Sequence, residues 1–122
     1  MNREIKFRAW NIILQEIFYQ KTGVMPSSGV YKSLNGYECY LNQLLYDLDY
    51  ISMQYTGLKD KNGKEIYEGD IIQPDVNRVV EFKYGKFGYD LTPSTSYNFM
   101  DLDQCHDEIE VIGNIYQNPE LL

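Results

Sequence analysis

Ile51-Ser52-Met53-Gln54-Tyr55-Thr56-Gly57-Leu58-Lys59-Asp60-Lys61-Asn62-Gly63-Lys64-Glu65-Ile66-Tyr67 is the stretch on which the fold turns. From Ile51 to Leu58, Met53 and Tyr55 alternate with Gln54 and Thr56, the period-two pattern of a strand with one face in a core. Asp60-Lys61-Asn62-Gly63 interrupts the run, and Asn-Gly supplies the positive φ values of a tight hairpin. Lys64 to Tyr67 then reads as the returning strand. Gly69 permits a bend before Asp70 to Gln73, and Pro74 with Asp75 ends that run, because proline has no amide to give a ladder.

Downstream, Arg78 to Tyr84 alternates Val80, Phe82 and Tyr84 against Val79, Glu81 and Lys83, and Gly85-Lys86 separates it from Phe87 to Leu91, a second hairpin. Thr92 to Gln104 is rich in turn-forming residues and is expected to be an exposed excursion. Glu108 to Tyr116 alternates Ile109, Val111, Gly113 and Ile115 as a closing strand, ended by Pro119. Small sheets limit open edges by curling, so these short strands predict an SH3-like small antiparallel barrel over 51–122.

Upstream, Glu4 to Trp10 places Ile5, Phe7 and Ala9 on one face and Lys6, Arg8 and Trp10 on the other, a first strand. Ile12 to Tyr19 is apolar enough for a strand or a buried helix; strand is the preferred reading. Gly23, Pro26, Ser27, Ser28 and Gly29 predict a mobile loop. Between Glu38 and Tyr50, Leu41, Leu44, Leu45 and Leu48 fall at helical spacing, predicting a short helix. The chain thus reads as mainly β, with a strand, loop and helix subdomain over 1–50 and a barrel subdomain over 51–122. At 122 residues the two are expected to form a single cooperative unit.

The hydrophobic fraction of 43% supplies a core and argues against global disorder. Twelve tyrosines beside one tryptophan favour half-buried strands and protein contacts, because the ring packs while the hydroxyl stays wet. A net charge of -7 opposes non-specific attraction to phosphates and anionic membranes. No apolar run reaches the roughly 18 residues that span a bilayer. Cys39 and Cys105 lack metal-type spacing and no signal peptide is evident, so a reduced, cytoplasmic location is expected.

Candidate chemistry is sparse. Gly57 to Lys64 is not a phosphate loop: five residues separate its glycines, Glu65 follows the lysine, and the context is a hairpin. Asp60 and Asn62 are spaced like calcium-loop ligands, but Gly63 comes too early. Cys105 and His106, with Asp103 and Asp107, form the one local group with metal or nucleophilic potential. A zinc site would need two further ligands, and only distant Cys39 offers one. Adjacent strand residues point to opposite faces, which opposes a Cys-His pair. Glu65, Glu68 and Asp70 read as a hydrated polar bend. Arg3, Lys6 and Arg8 read as a positive stripe that discourages edge pairing. Lys59, Lys61 and Lys64, with Tyr55 and Tyr67 as stacking faces, are minimal equipment for single-stranded nucleic acid, opposed by the global charge and by Asp60 and Glu65.

Three stretches resemble the YopX-like proteins of bacteriophages and prophages. They are Arg3 to Trp10, the central block Met53 to Ile72, and the end from Glu110-Val111-Ile112-Gly113-Asn114-Ile115-Tyr116 through Gln117-Asn118-Pro119-Glu120-Leu121-Leu122, together about a third of the chain in the right order. Asn11 stands where an aspartate commonly follows the tryptophan, and Ile12 to Tyr50 matches no block. The resemblance implies a phage-encoded protein with a barrel-containing β fold, no established activity or catalytic residues, and a capacity to self-associate. The reading that follows is a non-enzymatic accessory or interaction module without cofactor, catalytic or metal site. Its interface would bury Tyr84, Tyr89 and Tyr97 against another copy or a phage or host protein. The alternative is a nucleic-acid-binding barrel using Lys59, Lys61 and Lys64.

Overall fold

Two separate clusters of buried side chains divide the chain into units, one spanning Glu4–Gln54 and the other beginning at Tyr55 and running to Leu122. The division falls four residues beyond the sequence-based boundary at 50/51. The computed structural model describes residues 6–20, 29–91 and 99–122. Arg3, Ile5, the loop residues from Gly23 to Ser28, Thr92, Tyr97 and the side chain of Leu45 lie outside that description.

The first unit is built on β1 (Phe7–Asn11), β2 (Glu16–Gln20), β3 (Val30–Ser33), β4 (Glu38–Tyr40), α1 (Leu41–Tyr46) and the first half of β5 (Tyr50–Lys59). Its strands pair antiparallel in the order β4-β3-β2-β1-β5. Ala9 lies opposite Phe18 on one side and Ser52 on the other. Ala9, Phe18, Tyr31, Cys39 and Leu44 form its core, with Phe18 edge-on to Tyr50 at 5.4 Å. Each large side chain buried there contributes about 1.5–3 kcal/mol of transfer free energy.

Three expectations change in this unit. The apolar run Ile12 to Tyr19 is a turn followed by a strand. Asn11 Oδ1 accepts the amides of Ile13 (2.9 Å) and Leu14 (2.8 Å), and Gln15 closes the turn at φ 56°. Ile13 is therefore 70% exposed despite its hydrophobicity. Secondly, the helix occupies only Leu41–Tyr46, because Glu38–Tyr40 is the edge strand and Asp47 is extended (ψ 129°). The Asp47 carboxylate accepts the Asp49 amide, and Leu48 swings out of the helical face into water. Thirdly, β1 is flanked on both sides and Arg8 is 3% exposed, so neither the edge-protecting role nor a solvent-facing basic stripe holds for it.

In the second unit β5 continues antiparallel to β6 (Glu65–Tyr67), Tyr55 opposite Tyr67 and Lys59 opposite Glu65. After the Gly69 bend (φ 88°), β7 (Asp70–Ile72) lies between β8 (Arg78–Val79) and β12 (Val111–Asn114). A third sheet has β10 (Lys86–Asp90) between β9 (Glu81–Lys83) and β11 (Phe99–Asp101). Ile66, Ile72, Val80, Phe87, Tyr89, Leu102, Ile109 and Val111 are the shared core.

The regular alternation of Arg78 to Tyr84 does not form one strand. At Val80 the chain changes sheets: its amide donates to the Asp70 carbonyl and its carbonyl accepts from Gly69, both at 2.9 Å, and its side chain is buried. Phe82 is consequently half exposed, in contrast to Val80. Two further corrections concern polar segments. The described part of Thr92 to Gln104 contains β11 and Leu102, which is fully buried and opens a 3-10 turn. Asp70 is not hydrated at the bend; it is 1% exposed and accepts the Tyr67 amide at 2.8 Å. The closing run is strand only over Val111–Asn114, preceded by a 3-10 turn at His106–Glu108 and bulged between Val111 and Gly113. The fold is mainly β and antiparallel, and among the described residues its pairings form no closed barrel.

Candidate functional site

The basic hairpin tip is held by its own aspartate. Asp60 Oδ1 accepts the amides of Asn62 and Lys64, both at 2.9 Å, and Oδ2 accepts the Val111 amide at 2.9 Å. Only Gly63 takes a positive φ (81°), so the turn needs one left-handed residue and not the two that Asn-Gly can supply. Burial raises the proton affinity of the Asp60 carboxyl, but the hydrogen bonds from Val111, Lys64 and Asn62 outweigh it and the pKa is lowered. The tip is also tied to the segment before β12. Lys61 donates its amide to the Ile109 carbonyl (2.9 Å), Asn62 Nδ2 reaches Glu110 Oε1 (3.1 Å), and His106 Nδ1 lies 2.7 Å from the Lys59 carbonyl oxygen.

Lys59, Lys61 and Lys64 are exposed on this pinned loop. Tyr55 and Tyr67 are not available beside them. Both are 4% exposed, with ring centroids 5.4 Å apart, so they pack against each other and present no face to a base. The three lysines share the exposed hairpin tip, and the two stacking partners assigned from sequence are withdrawn into the interior.

Cys105 and His106 have different partners. His106 faces the Lys59 carbonyl, whereas the Cys105 sulfur lies 3.8 Å from the Asp101 carbonyl and 4.0 Å from the Tyr89 hydroxyl. Burial raises the Cys105 thiol pKa, with Glu108, Asp101 and Asp107 adding to the rise; this is the reverse of an activated nucleophile. Cys39 is buried and its thiol is likewise raised by desolvation. Among the described residues no group of three His, Cys, Asp or Glu side chains is placed to hold a metal. No helix among them is long and apolar enough to cross a membrane.

The hairpin β9–β10 carries the most exposed aromatic group among the described residues of this unit. Lys83 lies opposite Lys86, and the two residues between them, Tyr84 (φ 56°) and Gly85 (φ 77°), form a type I′ turn. Asn, Asp or Gly normally fills the first of those positions, and a tyrosine there is unusual. Tyr84 is 65% exposed and edge-on to Phe99 at 5.9 Å. Phe82 is 50% exposed and edge-on to its cross-strand neighbour Phe87 at 4.8 Å.

Lys83 Nζ pairs with Asp90 at 2.7 Å and approaches Glu81 at 3.7 Å, and Lys86 lies 3.9 Å from Asp101. The Asp90 hydrogen bond raises the Lys83 pKa. Of the tyrosines assigned to an interface from sequence, Tyr84 is at the surface and Tyr97 lies outside the described residues. Tyr89 is 4% exposed inside the core, where burial first and Cys105 second push its pKa up to about 12. Phe82 escaped the sequence reading because its alternation with Val80 assigns it to the interior. The signal that would have exposed it is the sheet change at Val80, which no local pattern reports.

The family model described as YopX protein matches residues 6–122. The crystal structure of protein EF1440 from Enterococcus faecalis is similar to this chain at 28% identity and a TM-score of 0.63, covering 99% of each chain. No curated protein matches.

Proposed function

The chain belongs to the YopX family, and from that premise we propose that it is a phage-encoded accessory protein of the bacterial cytoplasm that acts by binding protein, including further copies of itself, and not by catalysis. The observation that carries this reading is Tyr84. A large aromatic ring occupies a left-handed turn position where glycine or asparagine is easier to accommodate, and it is two-thirds exposed beside Phe99. Residues that keep an unfavourable backbone conformation in order to project a ring into solvent fit a contact surface, since tyrosine and phenylalanine are enriched in interface cores. Within the same reading, the strand that passes between sheets at Val80 supports an SH3-like arrangement of the second unit.

Size-exclusion chromatography with light scattering tests it. A defined oligomer that dissociates earlier on dilution in Tyr84→Ala supports the reading, whereas a strict monomer at every concentration removes self-association from it. The runner-up is nucleic-acid binding through Lys59, Lys61 and Lys64. Their shared exposure on a hydrogen-bonded loop favours it, and the burial of Tyr55 and Tyr67 leaves it without those two stacking faces. It predicts single-strand binding that weakens steeply with salt and is lost when the three lysines are replaced.

A further inference from the structure

We propose that β9 is a self-complementary edge through which two copies of this chain pair antiparallel about a two-fold axis at Phe82. The inference deepens the protein-binding reading and rests on it. In a two-residue hairpin the residues flanking the turn, Lys83 and Lys86, exchange hydrogen bonds, so the next pair, Phe82 and Phe87, is a non-hydrogen-bonded one. The Phe82 amide and carbonyl therefore point away from β10. Among the described residues β9 pairs with β10 alone, which leaves that outer side as a sheet edge. Such an edge is a template for another strand.

The side chains select what can pair there. Antiparallel pairing about Phe82 places Phe82 opposite its own copy, Glu81 opposite the second Lys83, and Lys83 opposite the second Glu81. Both flanking pairs are of opposite charge, and opposite charges directly across strands attract while like charges repel. A two-fold contact needs this kind of self-matching patch. In the free chain Glu81 and Lys83 already lie 3.7 Å apart on one face, with Asp90 holding Lys83 in place at 2.7 Å. The half-exposed Phe82 ring on the opposite face gains a partner ring at the axis.

The strand is three residues long, so the contact is small and belongs with weak, transient interfaces, below the roughly 800 Å² per partner of a standard one. The association is accordingly concentration-dependent.

Sedimentation velocity over a wide concentration range tests this with two charge variants and their mixture. Glu81→Lys puts two cations on each edge and Lys83→Glu two anions, so each variant alone is expected to be monomeric where the wild type dimerises. Mixed one to one, the two variants restore complementary pairs and are expected to form a heterodimer. Circular dichroism of each variant confirms folding, which matters for Lys83→Glu because it also loses the Asp90 ion pair; Lys83→Gln serves if that variant does not fold, and is expected to weaken dimerisation alone and to restore it in part when mixed with Glu81→Lys, because one of the two opposite-charge pairs is recovered. An oligomer indifferent to Glu81→Lys overturns the edge pairing and leaves the protein-binding reading standing. A wild type that remains monomeric throughout overturns both the pairing and self-association.

Discussion

Asp60 shows how much one buried carboxylate can organise. It is 5% exposed and takes three backbone amides that would otherwise lack partners in the turn and at the start of β12. Asparagine has one acceptor oxygen and would turn an amide nitrogen towards the Val111 N–H, leaving a buried donor unpaired. Asp60→Asn is therefore expected to cost about 1–3 kcal/mol, read as a lowered urea midpoint with an unchanged slope. Because its pKa is lower in the folded protein than in the unfolded chain, the carboxylate's stabilisation is present above the ordinary aspartate range and is lost as pH falls through the depressed folded value. Wild-type stability should fall on acidification below about pH 4, and the acid limb should be shallower in Asp60→Asn. Asp-Lys-Asn-Gly identifies the turn in the sequence. The bond to Val111 spans 51 residues, and no local pattern contains it.

Among the elements, the hairpins were legible because each has a short-range cause: alternation on both arms and a glycine where φ must be positive. β5–β6 and β9–β10 both follow this logic. What escaped were places where a pattern continues through a change of partner. Val80 and Phe82 alternate perfectly yet serve different sheets, and Leu48 has helical spacing but lies beyond the helix end set by Asp47. Apolar residues at Ile12 to Leu14 masked a turn that only Asn11 announces. Gly88 is an element-scale requirement of another kind. A Cβ there would meet the Phe99 ring at 2.7 Å as well as the Met100 carbonyl, so β11 can lie against β10 only while position 88 has no side chain. Gly88→Ala is expected to cost about 1–3 kcal/mol through overpacking, and to remove hydrogen-exchange protection from amides of Phe99–Asp101 before those of β12. Equal protection in the variant and the wild type would show that β11 accommodates the methyl group.

Over the whole molecule, two cores share one strand. β5 pairs with β1 through Tyr50–Gln54 and with β6 from Tyr55 to Lys59, so neither unit has a complete set of strands without it. Mainly β character was readable from periodicity. The existence of two hydrophobic clusters was not, because membership of a cluster is fixed by contacts between distant segments. Units of this size bury too little apolar surface to be robust alone. Continuity of β5 therefore argues for one unfolding transition, since fraying one half of a strand removes the ladder that aligns the other. Ile66 is fully buried in one cluster and Phe18 in the other. Ile66→Ala is expected to cost about 2–5 kcal/mol and Phe18→Ala about 3–5 kcal/mol. If β5 couples the clusters, both substitutions lower the midpoint of the same single calorimetric transition, with calorimetric and van't Hoff enthalpies in agreement. If each variant moves only one of two resolved transitions, the units melt independently and the shared strand divides at the Gln54–Tyr55 boundary.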